Sequence, residues 1–532
     1  MDQSGQQAVE LSGEQQNPRR KINPWIITFA VMLGTSIEVL DTSIANVALP
    51  HIAGSLSVTP DEATWVLTSY LISNGIVLPI AAWLSRRFGR KRYFIASIII
   101  FTISSALCGL APSLSFLIFF RVLQGLGGGG LQPSSQAILL ETFPLEKRGQ
   151  GMAAYGLGIV MAPMLGPVIG GWITDHYTWR WIFYVNVPIG IIAVLLISLF
   201  VFDPHYLERV KEPVDFMGLG FLAIGIAFLQ YCLDKGEQKG WLSSHLITTF
   251  FIISAIGLFF FIVWELIVPK PITDLRIFKD RTFLAGCLLV TFLMQGLYAN
   301  LVAVPLFLQL LIGYTATQAG LAVFPRGLGT FIGMPLTGFF LMKHFDSRYL
   351  IAIGGIGAGI SIFVLSYLNL DITFWNIFWP QFLQGLSMSL VFTPLATVTY
   401  AFIPKEKLGN ATSLWALIRN IGASIGISIA ATLLQQQAQT HQAALVRHLT
   451  PGSPVLSSRL QNLSHYFLFQ GFTHAQSQIM AKAGIFSQLL TQANLLSYLD
   501  NFRIFGLIFL PFIPIIFMMK KPPIQKGSMT VE

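Results

Sequence analysis

The sequence predicts an all-α polytopic membrane protein, two six-helix bundles with two further helices inserted between them. Three observations carry that prediction. Hydrophobic residues make up 54% of the 532 residues and charged residues only 11%. Soluble proteins carry about 25% charged residues, so this chain has too little polar surface to cover a water-soluble globule. Apolar runs of about 20 residues, enough to span a bilayer, recur fourteen times along the chain. Finally, the early and late spans repeat one another in the same orientation.

The elements follow in order. Residues 1–24 are polar, lack a cleavable signal pattern and read as a cytoplasmic tail. Spans near 25–49, 63–84, 93–112, 115–140, 150–173 and 181–202 form an N-terminal bundle over 25–202. The stretch 203–281 holds two inserted spans, near 216–234 and 245–268. Spans near 283–311, 317–342, 349–368, 374–402, 409–434 and 502–519 form a C-terminal bundle over 282–532. Within it, 435–500 is a long polar segment, rich in Gln and split by Pro451-Gly452-Ser453-Pro454. Its apolar residues fall at roughly helical spacing, and it reads as a surface loop or as a docking element.

Charge sets the orientation. Lys and Arg crowd the tails and the loops on the side of the amino terminus. The opposite loops hold only Arg180, Lys235, Lys239, Arg447, Arg459, Lys482 and Arg503. Both termini are therefore expected in the cytoplasm, and 435–500 outside. The same placement accounts for the net charge of +9 without nucleic acid. Cys108, Cys232 and Cys287 all lie in apolar runs, the His residues are scattered, and neither set has metal-ligand spacing.

The repeat is visible residue by residue. Gln124-Gly125-Leu126 returns as Gln384-Gly385-Leu386, and Pro144, Glu146, Lys147 and Gly149 return as Pro404, Glu406, Lys407 and Gly409. Gly166 returns as Gly426. Parallel halves of this kind place a transporter's substrate site between them at mid-membrane.

Charged groups inside the spans are the candidate machinery. Glu38 and Asp41 share a helix face in the first span, and a carboxylate there costs about 2.5–3.5 kcal/mol, which points to proton coupling. Arg121 must find an acceptor, because guanidinium keeps its proton. It is placed to pair with Glu38 or Asp41, as a bias on proton affinity or as a structural clamp. Gln124, three residues on, shares its face. A cavity between the halves would draw on Gln124, Gln132, Tyr298, Asn300, Gln309, Arg326, Gln381 and Arg419, with Arg326 and Arg419 meeting an anionic substrate, closing a state, or snorkelling. Gly158, Pro163, Gly166, Pro167, Gly170 and Gly171 mark a kinked, tightly packed fifth span.

These motifs resemble a known family. LDTSIANVALP (Leu40 to Pro50), RVLQGLGGG (Arg121 to Gly129), GIVMAPMLGPVIGG (Gly158 to Gly171) and WRWIFYVNVPIG (Trp179 to Gly190) are similar to motifs of the fourteen-helix drug:proton antiporters in the major facilitator superfamily. PITDLRIFKDRTF (Pro271 to Phe283) and GYTATQAGLA (Gly313 to Ala322) are similar to the EmrB-type multidrug exporters among them. Two departures stand out. WLSRRFGRKR carries Arg86 where the superfamily's loop has an acid, and Glu38 stands where an uncharged polar residue such as Gln is expected.

The resemblance implies a transporter rather than an enzyme, in the inner or plasma membrane, exporting hydrophobic or amphipathic toxic compounds by alternating access. It implies no cofactor, only a proton gradient, with Asp41, Glu38 and Arg121 as the coupling group. It implies that the fifth-span motif gates leakage. It further implies a periplasmic adaptor of EmrA type and an outer-membrane channel, with 435–500 as the contact. The competing readings are a dedicated exporter of one endogenous metabolite, siderophore or lipid-like, and a non-transporting membrane scaffold.

Overall fold

The computed structural model describes residues 23–203, 215–269, 271–450 and 453–521. Residues 1–22 of the expected 1–24 tail, the link 204–214 and the expected break at Pro451-Gly452 lie outside them, while Pro24 already begins the first helix. Among the described residues twelve helices are long and apolar enough to cross a membrane. In chain order they begin with α1 (Pro24–Leu56), α2 (Trp65–Phe88), α3 (Arg90–Leu110), and the broken pair α4 (Leu114–Gly128) and α5 (Leu131–Thr142). Next come α6 (Arg148–His176), α7 (Asn186–Phe200), α8 (Phe216–Lys235) and α9 (His245–Ile267). The later bundle holds α10 (Arg281–Leu310), α11 (Ala316–Pro335), α12 (Ser347–Val364), α13 (Phe374–Thr399) and α14 (Leu408–Val446). α15 (Pro454–Phe469), α16 (His474–Leu507) and α17 (Phe512–Ile516) close the chain. The glycine- and proline-rich α11, carried on by a π-turn at Leu336–Leu341, and α16 bring the spans to fourteen, of which all but the last lie near their expected places.

Local chemistry starts these helices. Asn23 accepts from the Trp25 amide and Pro24 sits at the first helical position, where a missing N–H costs nothing. Asp280 caps α10, and Thr315 with Gln318 forms a capping box on α11. The outward faces are apolar, as in α9 with Phe251, Ile252, Ile256, Phe259 and Phe260 all exposed.

Close helix crossings require glycine at two related places. A side chain at Gly125 of α4 would collide with Ser73 and the Tyr70 carbonyl of α2. One at Gly385 of α13 would collide with the Arg326 carbonyl of α11. The repeat read in the sequence is thus a repeat of packing. Gly166 of α6 abuts Ser43 of α1, and Gly426 of α14 abuts Gln295 of α10 in the same way.

The two bundles meet at the end where the chain enters. Trp25 stacks on Phe339 with ring centroids 5.6 Å apart, and the Tyr400 hydroxyl donates to Gln136 Oε1 at 2.9 Å. The inserted helices lie along the seam. Gln230 of α8 donates to Ser424 of α14 at 2.7 Å, and Lys235 donates to Thr64, just ahead of α2, at 2.6 Å.

The final span departs from expectation. It does not begin near 502 but runs back to His474, and α14 continues out to Val446. The described parts of 435–500, residues 435–450 and 453–500, therefore extend the bundle largely as helix, with α15 packed on α16. Ser497 donates to the Leu434 carbonyl at 2.6 Å and His441 meets Asp500 at 2.7 Å. Its Gln, Ala and Leu are good helix formers, so the helices continue beyond their apolar stretches.

Candidate functional site

Asp41 lies in mid-α1, 2% exposed. One of its oxygens, Oδ2, accepts from Arg121 Nη1 at 2.5 Å. The other, Oδ1, accepts from Gln124 Nε2 at 2.9 Å and from Asn186 Nδ2 at 2.7 Å. Arg121 also donates to Gln124 Oε1 at 2.8 Å and, through Nε, to the Val66 carbonyl at 2.9 Å. Its guanidinium sits 4.4 Å from the centre of the Tyr70 ring. Helices α1, α2, α4 and α7 thus converge on one carboxylate, and every donor comes from the N-terminal bundle. The choice between Glu38 and Asp41 as the partner of Arg121 falls to Asp41.

Glu38, one turn earlier and 4% exposed, is held differently. Oε1 accepts from Asn74 Nδ2 at 3.0 Å, while Oε2 has no hydrogen-bond partner. Arg419 of the opposite bundle acts on it by charge, and Gln132 lies beside it. Asp41 is enclosed within one half, whereas Glu38 faces the seam between halves.

That seam contains a cavity of about 70 Å³. Of the residues named from sequence, Gln132, Tyr298, Arg326, Arg419 and Pro163 line it. Apart from Thr330 the remaining wall is apolar and includes Leu293, Met294, Met334, Met388 and Phe392. Four of the residues named for the cavity lie elsewhere. Gln124 belongs to the Asp41 cluster, while Asn300 donates to Gln384 Oε1 at 2.7 Å inside the C-terminal bundle. Gln309 is exposed and donates to the Pro305 carbonyl of its own helix at 3.3 Å. Gln381 is fully buried, and neither of its side-chain polar atoms has a hydrogen-bond partner.

The fifth-span motif forms the seam between α6 and α1. Gly158 approaches Met32 and Ser36, Gly166 approaches Ser43 and Gly170 approaches Ile44, with Ser43 donating to the Pro163 carbonyl at 2.9 Å. Gly171 faces open space, and Pro167 lies on the same helix.

The loop that lacks its expected acid receives one from a distance. Asp203, beyond α7, accepts from the Lys91 amide at 2.7 Å, and Arg90 pairs with Glu141 of α5. Gly89 turns the chain at φ +91°, a conformation that favours glycine, and a side chain there would run into Asp203.

Sequence reading passed over Asn186 and Asn74, both ligands of the carboxylates. Their signal was a lone amide inside an apolar span, which in lipid needs a partner. Among the described residues no group of His, Cys, Asp and Glu has the arrangement of a metal site.

Comparison with known proteins gives the site its family setting. The family model for the Major Facilitator Superfamily matches residues 31–427. The multidrug export protein EmrB of Escherichia coli (strain K12) is 37% identical, over 97% of this chain and 99% of its own. The fatty acid resistance protein FarB of Neisseria gonorrhoeae is 35% identical, over 94% of this chain and 97% of its own. Among solved structures, the human organic anion transporter MFSD10 (TETRAN) aligns with a TM-score of 0.55 at 14% identity, over 92% of this chain and 100% of that one, a likeness of fold alone.

Proposed function

This chain belongs to the Major Facilitator Superfamily, on its EmrB branch, and we propose that it exports hydrophobic and amphipathic toxic compounds in exchange for protons. It is a membrane transporter, not an enzyme, and members of this superfamily run on ion gradients rather than cofactors. The observation that carries the reading is the Asp41–Arg121 pair, buried in the N-terminal bundle and ringed by Gln124 and Asn186. A sealed carboxylate whose charge is balanced by one arginine changes its surroundings sharply when it takes a proton.

In the cycle we envisage, substrate enters the cavity from the cytoplasm while the carboxylates are charged. The halves rock, substrate leaves, and an external proton neutralises Asp41 or Glu38, which lowers the cost of the return swing. Each charge moved across the membrane gains about 2.3 kcal/mol per 100 mV. With both termini in the cytoplasm, the end closed by Trp25 and Phe339 is the inner one. The helical extension 435–500 then stands outside, and its exposed Tyr466, Phe469, Ile479 and Phe486 offer an adaptor a surface on the way to an outer-membrane channel. The fifth-span motif, packed along α1, resists leakage between the faces.

The test is Asp41→Asn in proteoliposomes with an imposed pH gradient. Proton-driven export should vanish while substrate binding persists. Normal transport by that variant removes Asp41 from the mechanism.

A further inference from the structure

We infer that Arg326 is the residue by which the central cavity recognises an acid group, so that the cavity favours amphipathic ligands carrying a single negative charge. The inference rests on the efflux reading above and adds a selectivity residue to it. Charge around the cavity is uneven. Arg121 is paired with Asp41, and Arg419 lies within the charge influence of Glu38 across the seam, with one of its Nη atoms unpartnered. No carboxylate lines the cavity among the described residues, and both Nη atoms of Arg326 lack a hydrogen-bond partner.

Snorkelling does not explain this arginine. It is 2% exposed and sits ten residues into α11, about 15 Å along the helix from its start at Ala316. Nor does the packing use its head group, since only its backbone carbonyl serves Thr330 and the close approach of Gly385. Arg121 is held differently, with Nη1 and Nε spent on Asp41, Gln124 and the Val66 carbonyl and only Nη2 left without a partner. A buried guanidinium with two idle donors is costly, and a planar carboxylate meets both at once. Met294, Met334, Met388 and Phe392 supply a pliable apolar wall for the body of such a ligand.

The full-length protein in nanodiscs is tested by equilibrium dialysis at neutral pH with three probes of one shape, 1-naphthoate, 1-naphthol and 1-naphthylmethylammonium. The wild type should bind naphthoate about tenfold more tightly than naphthol, with the ammonium weakest. Arg326→Gln should erase that preference by lowering naphthoate binding far more than naphthol binding, while Arg326→Lys should keep part of it. Equal binding of naphthoate and naphthol by the wild type overturns the proposal. So does a loss of both probes together in a folded Arg326→Gln protein. Should that variant fail to fold, the wild-type ranking and Arg326→Lys decide. Absence of binding by all three probes strikes the efflux reading itself.

Discussion

The two bundles carry the same cluster in different chemistry. In the first, Asp41, Arg121 and Gln124 join α1 to α4. In the second, the positions displaced by 259 and 260 residues are Asn300, Gln381 and Gln384, of which Asn300 and Gln384 join α10 to α13 while Gln381 makes no hydrogen bond. Gln124 donates to Asp41, and Asn300 donates to Gln384 over the corresponding distance between helices. The second half is the uncharged copy of the first. The scaffold therefore needs a polar tie at this crossing but does not need it to be ionic. An ion pair kept at this crossing in one half alone, where lipid makes it expensive, points to a function beyond packing.

That contrast can be broken most severely at Arg121. Arg121→Gln strands Asp41, and losing one partner of a buried pair should cost about 3–5 kcal/mol, read as a large fall in the thermal midpoint together with loss of transport. Asp41→Asn with Arg121→Gln rewrites the first cluster in the composition of the second. It should recover most of that stability, because replacing both partners is often close to neutral, while transport stays uncoupled. A double variant as unstable as Arg121→Gln alone would show that the halves are not interchangeable. In the second half, Gln384→Ala orphans the Asn300 amide and should cost about 1–3 kcal/mol by the same measurement, with coupling intact.

The smallest effect belongs to a paired loop. In the first half Asp203 reaches the start of α3, whereas in the second Asp346 itself caps α12 and meets Arg348 at 3.0 Å. Burial pushes Asp346 upward, but the bonds and charge of Arg348 outweigh it and hold the carboxyl below its ordinary value. A lowered value contributes stability that is whole above the unfolded value, about 3.9, and is lost as pH falls through the folded one. Asp346→Asn should thus cost at most about 1 kcal/mol at pH 7, and the gap to the wild type should close in acid. A gap that widened on acidification would reverse the sign.

How much of this was legible in the sequence depended on where the determining forces act. Spans, orientation signals and the repeat follow from solvent and from local pattern, so Gln124 and Gln384 announced two equivalent crossings before any coordinate was known. The partner of Arg121 was not legible, because Asp41 and Glu38 share a helix face and the choice is made by α2, α4 and α7 around them. Asn186 and Asn74 went unremarked since a neutral amide carries no obvious cost until its surroundings are known. The same holds for Asp203, whose service to the Gly89 turn depends on α7 ending beside α3. Gln309 was named for the cavity as a polar residue within an apolar span, yet it lies near the exposed end of α10. Helical spacing showed within 435–500, but its continuity with α14 and α16 did not, because hydropathy marks the bilayer and not the end of a helix.

One measurement bears most directly on a proton site seated in the first half. Substrate is added to solubilised protein in unbuffered solution, and proton release is followed with an indicator dye. Wild-type protein should release protons on binding, and Asp41→Asn with Glu38→Gln should bind without release. Undiminished release from that doubly neutral protein would contradict coupling through Asp41 and Glu38.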